Sequence, residues 1–128
     1  MMKYVLCALL AGLLLLAGCG ATKKENTYQQ IPQEKARELM DSQTVVVLDV
    51  REQDEFDAGH IPGAVLLPVG SINKETAASV IPRKDTMVLV YCRSGNRSKT
   101  ASQALVDLGY TNVLEFGGIN TWPYEVEK

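Results

Sequence analysis

The sequence predicts an α/β domain built on a mostly parallel sheet, and three observations carry that prediction. Residues 44–50 (TVVVLDV) and 86–91 (TMVLVY) are continuous apolar, β-branched runs, the pattern of strands buried on both faces. Between such runs lie segments whose apolar residues recur at helical spacing. Strands alternating with helices make parallel crossovers, hence an α/β sheet. The third observation is Cys92, placed directly after the second run. Ligands in such sheets gather beyond the carboxyl ends of the strands.

The elements follow in order. Residues 32–42 (PQEKARELMDS) open with Pro32 and set Ala36, Leu39 and Met40 at helical spacing. The first buried strand is 44–50. Residues 51–60 (REQDEFDAGH) form a short helix ended by Gly59, and in GHIPGA the residues Gly59, Pro62 and Gly63 shape a turn. A shorter strand is expected over 63–69 (GAVLLPV), then a helix within 71–81 (SINKETAASVI) stopped by Pro82. After strand 86–91, residues 97–109 (RSKTASQALVDLG) place Ala101, Ala104, Leu105 and Leu108 on one face, with Gly109 as the C-terminal stop. Residues 112–116 (NVLEF) complete the set.

The N-terminus has a different character. After Lys3, residues 5–17 are an apolar run interrupted only by Cys7 and Gly12. Thirteen residues fall short of the about 20 that span a bilayer and fit the about 7–15 of a secretory signal core. The stretch Leu16-Ala17-Gly18-Cys19 resembles the lipobox of bacterial lipoproteins. That resemblance implies cleavage after residue 18, diacylglycerol on Cys19, a polar tether over 19–27 and one folded domain over 28–128. It places the domain in the bacterial cell envelope, lipid-anchored and extracytoplasmic, on the periplasmic face or the outer surface. Loss of Lys3 takes the 13 basic residues to 12, against 15 acidic. With no basic run or aromatic-basic interleaving, nucleic acid is not an expected partner.

Cysteine usage narrows the chemistry. Once Cys7 is discarded and Cys19 lipidated, Cys92 is the remaining thiol, so a disulfide framework or resolving-cysteine cycle is not expected. His60 is the single histidine, which argues against a zinc site; no metal or cofactor is expected. His60 itself reads as structural in preference to a general base. The helix after Cys92 is expected to begin near Ser98, and its first N–H groups and dipole favour an anion. Gly95 and Asn96 suit a tight turn that can form an anion nest, while Arg93, Arg97 and Lys99 add positive charge. Each effect favours the thiolate, the nucleophilic form. A buried structural cysteine would instead be followed by apolar residues.

The loop CRSGNRS (92–98) resembles the active-site loop of rhodanese-like sulfurtransferases, 45–68 resembles their upstream segment, and FGGINTW (116–122) their C-terminal segment. The resemblance implies a central sheet of about five parallel strands flanked by helices. It implies a Cys92 nucleophile that takes sulfur from a small anionic donor such as thiosulfate and passes it to a thiol, cyanide or an unidentified protein acceptor. The backbone of Arg93, Ser94, Gly95, Asn96, Arg97 and Ser98 would cradle the sulfur. Arg93 would draw the donor, and Arg97 would do the same or pin the loop through an ion pair. Ser98 is expected to cap the helix, or alternatively to hydrogen-bond the sulfur. Asp49 and Arg51 form a structural pair or approach the loop. Gly117 and Gly118 allow close backbone approach, and Trp122 packs in the core or as a lid.

Two rivals use the same elements. A cysteine phosphatase or arsenate reductase needs five residues between cysteine and arginine, whereas four separate Cys92 from Arg97. A membrane-tethered sulfur carrier or partner-binding module with little turnover would keep the same cysteine.

Overall fold

The computed structural model describes residues 27–128. The expected leader, Cys19 and all of the tether except Thr27 lie outside the described residues. Strands β1 (Gln29–Gln30), β2 (Val45–Asp49), β3 (Val65–Leu66), β4 (Met87–Cys92) and β5 (Val113–Gly118) form one sheet. Helices α1 (Gln33–Ser42), α2 (Gln53–Ala58), α3 (Lys74–Val80) and α4 (Asn96–Asp107) connect them. The strand order is β1-β5-β4-β2-β3 and every pairing is parallel. The two continuous apolar runs are thus the central strands β2 and β4.

Alternation along β4 explains why it has no polar face. Val88, Val90 and Cys92 join Leu48, Val50, Ala77, Ala101, Leu105 and Val106 on the face covered by α3 and α4. Leu89 and Tyr91 join Val47, Leu114, Phe116, Ala36 and Trp122 on the face covered by α1. Each fully buried Leu or Val contributes roughly 1.5–3 kcal/mol, so register is fixed from both sides. A slip of one residue would exchange the two faces completely.

Two strands depart from expectation. The strand expected over 63–69 pairs only at Val65–Leu66. Gly63 turns the chain with φ +83°, and beyond Leu66 the Leu67 and Val69 N–H groups still reach the Asp49 and Val50 carbonyls (2.9 and 3.0 Å) while the chain bends into the 3₁₀ turn Val69–Ser71. Strand β1 was not foreseen, because two glutamines carry no apolar signal. Its register with β5 (Gln29 beside Leu114) and the Ile31 N–H to Glu115 C=O bond (3.0 Å) hold it in place.

Helix starts are handled differently along the chain. At α3, Asn73 Oδ1 accepts the Thr76 N–H (2.9 Å) while Thr76 Oγ1 accepts the Asn73 N–H (2.9 Å), a reciprocal capping box. At α4 the capping position is Gly95, with φ +106° and no side chain to offer. The helix therefore begins at Asn96 rather than near Ser98, because the left-handed glycine closes the turn early.

Candidate active site

Cys92 ends β4, where the pairing with β5 shifts register and Cys92 stands opposite Gly118. The side chain is 1% exposed. With no cap on Gly95, the free N–H groups of α4 turn to the sulfur. The Gly95 N–H donates to Cys92 Sγ at 3.1 Å and the Ser98 N–H at 3.3 Å. Ser98 is the third residue of α4, so the sulfur occupies the position that a capping oxygen normally takes. Burial pushes the thiol pKa up, but hydrogen bonds from Ser98, Gly95 and Ser94 outweigh it and bring the group below its ordinary value. The result is a nearly enclosed sulfur that the backbone favours as an anion.

Close backbone contact closes the loop. A Cβ on Gly118 would lie 1.9 Å from the Arg93 carbonyl oxygen, so only glycine fits there. Asn120 N–H donates to that same oxygen at 3.1 Å. A pocket of about 360 Å³ opens beside the loop, with Ser94, Gly95, Lys99, Glu115, Gln30 and Gln33 among its walls. Cys92 lies beneath this wall rather than in it.

A model of the rhodanese-like domain matches residues 32–124. The chain belongs to the rhodanese-like family. This rhodanese-like domain is 34% identical over 96 residues to thiosulfate sulfurtransferase GlpE of Coxiella burnetii, covering 74% of this chain and 87% of that protein. It is 36% identical over 72 residues to thiosulfate sulfurtransferase PspE of Escherichia coli, covering 56% and 68% respectively. Among solved structures, a rhodanese with anions from E. coli superposes with a TM-score of 0.62 at 32% identity, covering 66% of this chain and 99% of that one. The five-stranded parallel sheet agrees with the family expectation.

Within this rhodanese-like domain the expected residues separate into groups. Gly95 and Ser98 touch the sulfur through their amides. Arg93 and Asn96 are exposed. Asn96 is the first residue of α4, so the left-handed turn residue is Gly95 and not Asn96. Arg97 pins the loop: Nη1 and Nη2 reach Glu55 Oε1 and Oε2 at 2.8 and 3.0 Å. Of its two expected roles, the geometry therefore supplies the ion pair. The Arg97 hydrogen bond holds the Glu55 carboxyl down at about 2, against the opposing effect of burial. Ser98 does not cap α4, which corrects the first expectation for it. The Cys92 thiol donates to Ser98 Oγ at 3.4 Å, the arrangement named as the alternative.

Asp49 and Arg51 form the structural pair. Arg51 Nη2 donates to Asp49 Oδ2 at 2.7 Å and to the Gly59 carbonyl at 2.7 Å. Tyr91 Oη donates to Asp49 Oδ2 at 2.5 Å and accepts the Ile61 N–H at 3.1 Å. Asp49 is in register with Tyr91, which points to the face opposite Cys92, so the expected approach to the loop is not made. His60 stacks on Phe56 with ring centroids 3.8 Å apart and donates from Nδ1 to the Phe56 carbonyl, a structural position. Trp122 packs against Phe116 and Tyr124.

Sequence reasoning missed Glu115. It is 2% exposed on β5 and accepts from Ser98 Oγ (2.5 Å), the Gly117 N–H (3.0 Å) and Gln30 Nε2 (3.2 Å). The signal was present: an acidic residue inside an apolar strand, two residues before a glycine pair, needs a buried partner.

Proposed function

We propose that this rhodanese-type sulfurtransferase transfers sulfane sulfur through a Cys92 persulfide. The Cys92 thiolate attacks the outer sulfur of thiosulfate; the S–S bond to the sulfonate sulfur breaks and sulfite leaves with that electron pair. An acceptor nucleophile, cyanide or a thiolate, then attacks the outer sulfur of the persulfide and restores the thiolate. Covalent catalysis divides one transfer into two displacements. The observation that carries this reading is the convergence of the Gly95 and Ser98 amides on Sγ. The loop from Arg93 to Ser98 would hold the anionic persulfide as a preorganised electrostatic cradle. Arg93, exposed at the rim, would draw the anionic donor.

Arg97 argues against phosphate chemistry. A phosphatase needs a free guanidinium to clamp the phosphoryl group, and here both terminal nitrogens are engaged by Glu55. Lipid on Cys19 would hold the domain at the envelope membrane, where two or more acyl chains anchor stably.

The test is the intact mass of the full chain after thiosulfate. The expected result is a gain of one sulfur that cyanide removes and that Cys92→Ser lacks. Hydrolysis of an aryl phosphate without any sulfur gain would overturn the reading. For the tether, radiolabelled fatty acid should enter the wild-type chain in bacteria and not Cys19→Ser; equal labelling of both would overturn it.

A further inference from the structure

The buried carboxylate behind the cysteine has no place in the transfer chemistry above. Its hydrogen bonds form a directed chain: Cys92 Sγ–H donates to Ser98 Oγ at 3.4 Å, and Ser98 Oγ–H donates to Glu115 Oε2 at 2.5 Å. Ser98 is wholly buried and Glu115 nearly so. A thiolate formed next to an ionised Glu115 would place two negative charges in one enclosed site, separated by a single hydroxyl. Like charges this close oppose one another, so a proton leaving the sulfur has a nearby acceptor along the chain.

We propose that Cys92, Ser98 and Glu115 form a proton relay in which Glu115 takes up the proton that Cys92 gives up. This rests on Cys92 as the nucleophile. The thiol proton moves to Ser98 Oγ as the Ser98 hydroxyl proton moves to Glu115 Oε2. One S–H and one O–H bond break, two O–H bonds form, and the net charge of the site is unchanged. Ser98 then donates to the thiolate and accepts from the Glu115 carboxylic acid. Other groups near the chain are the Arg97 guanidinium held by Glu55, the amides of Gly95 and Ser98, and Gln30 Nε2. Lys99 lines the pocket wall with Glu115. Glu115 is a positioning residue here, since it reaches the sulfur only through Ser98.

The test uses the full chain carrying Cys7→Ser and Cys19→Ser, leaving Cys92 as its thiol. The thiolate ultraviolet band is followed against pH, and proton release is measured with an indicator dye during alkylation by iodoacetamide where that band is full. A simple thiolate releases no proton on alkylation. The relay predicts about one proton per cysteine, because alkylation removes the sulfur charge and Glu115 gives up what it holds. Glu115→Gln should keep the band and release none. The relay is overturned if the parent releases none, or if Glu115→Gln lowers the thiolate inflection by about one pH unit or more. The latter would mean that a fixed carboxylate charge had opposed the thiolate. The parent measurement stands alone should the variant misfold. A chain that gains sulfur but releases no proton defeats the relay alone, whereas one that gains no sulfur defeats the functional reading.

Discussion

Helices α3 and α4 start in opposite ways, and the contrast locates the chemistry. Both must satisfy N–H groups that no earlier turn can reach. At α3 the need is met locally, within four residues, by Asn73 and Thr76. At α4 the capping residue is a glycine, and the amides turn to a sulfur three and six residues upstream of the donors. A closed cap gives stability and nothing else. An open cap lends its donors and dipole to a group that must become an anion.

The largest expected effect comes from forcing the open cap out of shape. Gly118→Ala drives a Cβ against the Arg93 carbonyl. It should cost about 3 kcal/mol and, through displacement of the loop, slow sulfur loading about a hundredfold; urea unfolding and rapid-quench mass measurement read the two. Gly95→Ala places an L side chain at φ +106°. The expected cost is about 1–2 kcal/mol, with loading slowed about tenfold if that strain is relieved by moving the amides. Asn73→Ala opens the closed cap instead. It should cost about 1 kcal/mol in urea unfolding and leave the loading rate unchanged, which separates the two helix starts.

The smallest effect concerns the ion pair that steadies the open cap. Arg97 depresses Glu55 from 4.5 to about 2. A carboxylate depressed in the folded state stabilises fully above its unfolded value and loses that contribution as pH falls through its folded value. The stabilisation should therefore be complete above pH 4.5 and fade between there and about 2. The pair is partly exposed, so the amplitude should be about 1 kcal/mol or less. Urea midpoints across that window should fall more steeply for the wild type than for Glu55→Gln.

The contrast between the two helix starts also shows what could be read from residues alone. Strands β2 and β4 were legible because burial on both faces leaves an unbroken apolar run. Helix α4 was legible through Ala101 and Leu105, and the loop through its arginines and glycine. Ser98 was misplaced for a physical reason: a serine shortly before a helical pattern signals a cap, but the left-handed Gly95 moved the helix start forward. Strand β1 exists through pairing with β5, which two glutamines do not announce. Glu115 was hidden because its partner Ser98 lies 17 residues away on another element; periodicity is blind to that distance. Asp49 and Arg51 were legible as a pair, while Tyr91, which joins them to Ile61, looked like one more apolar strand residue.

The central claim is that an uncapped helix start favours the Cys92 thiolate. The rate of Cys92 alkylation against pH, in the chain with Cys7 and Cys19 replaced by serine, tests it most directly. The account expects an inflection below the ordinary thiol value of 9.0. An inflection at or above that value would contradict it.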